Sequence, residues 1–101
     1  MDKNVKMSML LELYGNMLTD TQRDTASLYY DQNLSLREIA EDDNISRQGV
    51  LRNLKLAEDK LLELEEKLGI LKEKLRRNQI LEEVIDEIDD KNIKDRLSEL
   101  L

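Results

Sequence analysis

Two helix starts, at Ser35 and Ser46, lie so close together that the chain between them has room only for a short helix and a tight turn. Ser35 is followed by Glu38, the reciprocal arrangement in which each side chain satisfies the other residue's free backbone N–H at a helix N-terminus. Leu36, Ile39 and Ala40 then recur at helical spacing and give one apolar stripe. Asp42, Asp43 and Asn44 favour caps and turns over helix interior, and Asn44 is suited to a left-handed turn residue. Ile45 is expected to plug the corner, and Ser46 to cap a second helix. On that second helix Val50, Leu54, Ala57 and Leu61 face inward, leaving Arg47, Gln48, Arg52 and Lys55 outward. Two capped helices, with the small Ala40 where they cross, match a helix-turn-helix; a plain helical hairpin in a small bundle is the alternative.

The flanking sequence is helical throughout. With no proline and three glycines, the composition predicts an all-α chain. Met7, Leu10, Leu11, Tyr14, Met17 and Leu18 predict one amphipathic helix over residues 4–18. Thr19 and Gln22 form another reciprocal cap, opening a helix through about Tyr30 with Ala26, Leu28 or Tyr29, and Tyr30 turned inward. Beyond the motif, Leu54, Ala57, Leu61, Leu64, Leu68, Leu71 and Leu75 alternate steps of three and four. Gly69 interrupts this run, so two arrangements stay open: a continuous helix that dimerises, or a break with a separate helix folding back. In the first, Leu61, Leu64, Leu68, Leu71 and Leu75 are a dimer or partner seam; in the second they line the core of one monomer. Lys72, Lys74, Arg76 and Arg77 form a basic cluster, either a solvated face or a second phosphate patch. Ile80, Leu81, Val84, Ile85 and Ile88 predict a further helix, with a turn at residues 89–92 and a last apolar group at Ile93, Leu97, Leu100 and Leu101. The expected organisation is a helix-turn-helix domain over residues 1–61 with a long recognition helix, and a C-terminal helical extension over 62–101.

Several chemistries are excluded by what the chain lacks. There is no cysteine and no histidine, which removes thiol nucleophiles, disulfides, the commonest metal ligands and the usual neutral-pH base. Acid pairs such as Glu82/Asp86 and Glu83/Glu87 fall on an expected solvent face, and no phosphate-cradling glycine loop occurs. The chain therefore reads as non-enzymatic, with no catalytic residue, cofactor or metal. No apolar run is long enough to span a bilayer and the first residues lack a signal peptide's core, so no membrane insertion is expected and the cytoplasm is the expected compartment. The net charge of −7 opposes nucleic-acid binding by bulk electrostatics. Charge is uneven, however: residues 46–56 carry Arg47, Arg52 and Lys55 and no acid, while Glu41, Asp42 and Asp43 sit in the preceding turn.

Leu18-Thr19, Gln22, Leu28-Tyr29-Tyr30, Leu34-Ser35-Leu36, Glu38-Ile39-Ala40, Ile45-Ser46-Arg47-Gln48 and the tail EDKLLELEEKLG together resemble the YlxM family of small bacterial helix-turn-helix proteins. Residues 18–61 also resemble region 4 of the sigma-70 class of factors. The resemblance implies an all-α, sigma region 4-like bundle with a long third, recognition helix, and a regulatory role in the signal recognition particle pathway. Two departures stand out. Asp43 replaces a commonly apolar residue, and Leu51, Asn53 and Leu56 stand where sigma factors commonly carry basic residues.

Two functions from different classes fit. In the first, Arg47 and Gln48 reach base edges while Arg52, Lys55 and the helix start at Ser46 hold phosphates, on double-stranded DNA or signal recognition particle RNA. A homodimer is expected, because few cations per chain give weak binding alone. In the second, the leucine seam and the acidic last third dock a protein partner, signal recognition particle proteins among them.

Overall fold

The computed structural model describes all 101 residues and contains six α-helices and no strand: α1 (Lys3–Tyr14), α2 (Asp20–Ala26), α3 (Leu36–Asp43), α4 (Arg47–Leu68), α5 (Ile70–Asp86) and α6 (Lys91–Ser98). Two compact units divide the chain at Gly69, Met1–Gly69 and Ile70–Leu101.

In the first unit α4 is the central element, and α1, α2 and α3 all pack on it. Val50, Leu54, Ala57, Leu61 and Leu64 recur on one side of α4 and are buried. Met7, Leu10, Leu11 and Tyr14 of α1, Leu18 ahead of α2, Thr25 and Ala26 of α2, Tyr30, and Ile39 and Ala40 of α3 are also buried. Two polar contacts tie α1 to the outer half of α4. The Tyr14 hydroxyl donates to Glu65 Oε1 at 2.7 Å, and Lys3 pairs with Glu58 at 3.2 Å.

The N-terminal helix is shorter than its apolar pattern suggests. After Tyr14 the chain tightens into a 3₁₀ turn, Gly15–Met17. Three residues per turn replace 3.6, which rotates Met17 out to solvent while Leu18 returns to the core. Thr19 caps α2 with the expected reciprocal bonds, but α2 does not run on as α-helix to Tyr30. It widens at Ser27–Asp31 into a π turn, closed by the Gln32 N–H on the Ser27 carbonyl at 3.1 Å. The extra residue lets Tyr30 reach the core while Leu28 and Tyr29 pack against Ile39, Ala40 and Val50. The Tyr29 and Tyr30 rings stack with centroids 5.0 Å apart.

The run from Leu54 to Leu75 is broken. Gly69, at φ 63°, takes the left-handed conformation that ends α4 and donates its N–H to the Glu65 carbonyl at 2.8 Å. Leu61, Leu64 and Leu71 are buried within the single chain, Leu75 is half-buried, and Leu68 is exposed. Beyond Gly69 one helix, α5, takes in the basic cluster and the apolar residues from Ile80 to Ile85, and Ile88 lies just past its end. The separate helix expected to begin at Ile80 is its second half. Asp90 caps α6 by accepting from the Ile93 N–H at 3.2 Å, and α6 packs on α5.

These placements predict unequal costs for two truncations of apolar residues. Leu61→Ala should lower stability by about 2–5 kcal/mol in urea titration. Met17→Ala should change it by less than about 0.5 kcal/mol; a comparable loss at both positions would contradict the 3₁₀ register.

Burial, reinforced by a hydrogen bond to Glu58, raises the Tyr30 phenol well above its ordinary value of 10.0. Native Tyr30 keeps its proton at a pH where the unfolded chain has lost it. Its contribution to stability is whole below pH 10.0 and is lost as pH rises above that value toward the elevated native one. The fall in Tm between about pH 9 and about pH 11 should therefore be smaller in Tyr30→Phe than in the native chain. An equal fall in both would refute the assignment.

Candidate nucleic-acid interface

The outward face of α4 is positioned by three local devices. Ser35 Oγ accepts from the Glu38 N–H at 3.1 Å while Glu38 Oε1 accepts from the Ser35 N–H at 3.1 Å, which fixes where α3 begins. At the other end of α3, Asn44 takes the left-handed conformation, φ 54°. The N–H groups of both Asn44 and Ile45 then donate to the Ala40 carbonyl, closing the corner. Ser46 Oγ accepts from the Gly49 N–H at 3.0 Å and starts α4. A side chain at Gly49 would bring its Cβ within 3.2 Å of Ser46 Oγ, so glycine keeps this cap uncrowded. Ile45 does not plug the corner. Buried Ile39, Ala40 and Val50 already fill the junction, with Leu28, Tyr29, Leu34 and Leu36 around them, and Ile45 stays at the surface.

With α4 held in this way, Arg47, Gln48, Arg52 and Lys55 are all exposed on its first turns. Arg47 and Arg52 enter no ion pair, whereas Lys55 is committed to Asp59 at 3.1 Å, one turn on. The acidic end of α3 is partly offset, since Glu41 pairs with Arg37 at 3.3 Å; Asp42 and Asp43 remain exposed. Asp43 lies in the last turn of α3 on the solvent side, so the apolar contact commonly made at this position is missing.

Pattern reading undervalued two leucines here. Leu51 is 52% and Leu56 48% exposed, on the same outer face as the cations. Their signal was available in the helical spacing, since neither falls on the Val50-Leu54-Ala57-Leu61 stripe. The face is therefore mixed, two unpaired guanidinium groups interleaved with aliphatic surface.

The second basic cluster is less available as a group. The Arg76 guanidinium forks onto Glu73 at 2.7 and 3.1 Å, which lowers the Glu73 carboxyl below its ordinary range. Lys74 and Arg77 instead border a groove on α5. No group of carboxylates is gathered closely enough to hold a metal ion, and no helix is long and apolar enough to cross a membrane.

A short capped helix, a left-handed turn and a long capped helix carrying exposed cations on its first turns define a helix-turn-helix protein. The chain belongs to the family described as "Putative helix-turn-helix protein, YlxM / p13 like", UPF0122, which it matches over residues 1–100. A UPF0122 protein of Halalkalibacterium halodurans is 40% identical over 101 residues, covering 100% of this chain and 93% of the relative. One from Lactococcus lactis subsp. cremoris is 45% identical over 84 residues, 83% of this chain and 76% of the relative. A third, from Clostridium botulinum, is 38% identical over 91 residues, 90% and 84% of the two chains.

Because Leu51 and Leu56 contribute to no buried cluster, Leu51→Ser and Leu56→Ser should each leave stability within about 0.5 kcal/mol of the native chain in urea titration. A loss above about 2 kcal/mol would show that this face is packed.

Proposed function

We propose that this chain is a cytoplasmic nucleic-acid-binding regulator that presents the first turns of α4 to the major groove of duplex DNA. The observation that carries the reading is the pair of exposed, unpaired arginines, Arg47 and Arg52, on a Ser46-capped helix start with no acid between residues 46 and 57. Arg47 and Gln48 project from the end of the helix that approaches bases in this motif; Arg52 and Lys55 lie where the flanking phosphates run. The Ser46 hydroxyl occupies only the Gly49 N–H, leaving the neighbouring helix-start amides able to meet a phosphate. Two or three cations per chain make the binding weak and modestly salt-dependent. The slope of log affinity against log salt should be no steeper than about −3.

Fluorescence anisotropy with duplex fragments, at low and moderate salt, tests this. Saturable binding that weakens with salt is expected, and Arg47→Ala should cost about 1–3 kcal/mol of specific affinity if Arg47 makes a two-pronged base contact. An unchanged affinity would remove Arg47 from the interface. A role in the signal recognition particle pathway is the regulatory role that the resemblance to the YlxM family suggests, so that particle's RNA is the second probe. Stronger binding to it than to any duplex would move the target from DNA to RNA.

A second reading, a protein adaptor on the same scaffold, is favoured by the exposure of Leu51 and Leu56 amid the acidic excess of the chain. Its partner would be a basic protein surface, such as that of the signal recognition particle proteins. Leu51→Lys separates the two readings. An added cation on this face should strengthen nucleic-acid binding, whereas loss of an apolar contact should weaken a protein complex.

A further inference from the structure

The second unit presents a self-complementary face, and we propose that α5 pairs antiparallel with α5 of a second copy of this chain. The inference is independent of what α4 binds. Glu73, Arg77, Ile80, Val84 and Glu87 recur at alternating steps of four and three, one continuous stripe along and just beyond α5. All five are exposed, Ile80 at 46% and Val84 at 41%. α6 packs on α5, and Leu81, Ile85, Ile88 and Leu97 are half-buried while every residue of this stripe is exposed. Beside it lies a mainly apolar groove of about 490 Å³, whose walls include Arg77, Ile80, Leu81, Leu100 and Leu101.

The charge layout specifies the occupant. The first half of α5 carries Lys72, Lys74, Arg76 and Arg77 against one acid, Glu73. Its second half and the turn after it carry Glu82, Glu83, Asp86, Glu87, Asp89 and Asp90 and no cation. A lone helix favours the reverse, acids near its N-terminus and cations near its C-terminus, because of its dipole. An antiparallel copy supplies what the helix itself does not, since the basic half of each chain then faces the acidic half of the other. A two-fold axis near residue 82 sets Ile80 against the partner's Val84 and Arg77 against the partner's Glu87. Each contact then occurs twice, as a two-fold interface requires. Cations flank an apolar centre on one side and acids on the other, a pattern that disfavours parallel pairing.

Sedimentation velocity on the full chain, from about 5 to about 200 µM, tests this, with circular dichroism confirming that every variant is folded. The native chain should sediment as a reversible dimer. Arg77→Glu should raise its dissociation constant at least about tenfold, because two contacts per dimer turn repulsive. Glu87→Arg added to Arg77→Glu should restore association, and Val84→Lys should abolish it. Monomer throughout would overturn the proposal and leave the face for a different partner. A dimer indifferent to Arg77→Glu and Val84→Lys, or one that the charge swap fails to rescue, would overturn it equally.

Discussion

Everything in the first unit depends on one stripe of α4. Val50, Leu54, Ala57, Leu61 and Leu64 are the surface on which α1, α2 and α3 converge, and all five are aliphatic in a chain that has no phenylalanine or tryptophan. Burial of such side chains is worth about 1.5–3 kcal/mol each. The stripe therefore sets both the stability of the unit and the rotation of α4 about its own axis. That rotation decides which residues meet solvent. With the stripe turned inward, Arg47, Gln48, Arg52 and Lys55 have no orientation open to them but outward.

The outward face is a compromise between competing demands. Two free arginines and a capped helix start attract phosphate, while Leu51, Leu56 and the exposed Asp42 and Asp43 limit how much electrostatic binding one chain can achieve. A weak single site becomes useful when two copies act together, because the second contact is then made at a high effective concentration. The antiparallel α5 pair proposed above would supply the second copy from a unit that takes no part in the helix-turn-helix. Its basic and acidic halves cost each helix a little in isolation and give an association a defined direction.

Much of this was legible in the residues. The three serine and threonine caps, the left-handed Asn44 and the inward stripe of α4 follow from local preferences that agree with one another, and each appears where the pattern puts it. What escaped were departures from regular helix. The 3₁₀ turn at Gly15–Met17 and the π turn at Ser27–Asp31 change the residues per turn, so a fixed 3.6 periodicity misplaces Met17 and reads the π turn before Gln32 as regular α-helix. Gly69 was visible as a weak point, but spacing alone could not choose between a continuous helix that dimerises and a break, because the leucines keep their steps across it. The left-handed backbone at Gly69 is what ends α4. At the candidate interface the cations were read from the chain. Which of them remain unpaired depends on side-chain placement, as the Lys55–Asp59 contact shows.

The most direct test of the account is a map of which backbone amides respond when isotope-labelled protein is titrated with a saturating duplex or with signal recognition particle RNA. The account predicts that the nuclear magnetic resonance shifts that change will concentrate on residues 46–55, with the amides of the buried stripe little affected. Shifts confined to α5 and α6, or an absence of change at residues 46–55 under saturating binding, would contradict it.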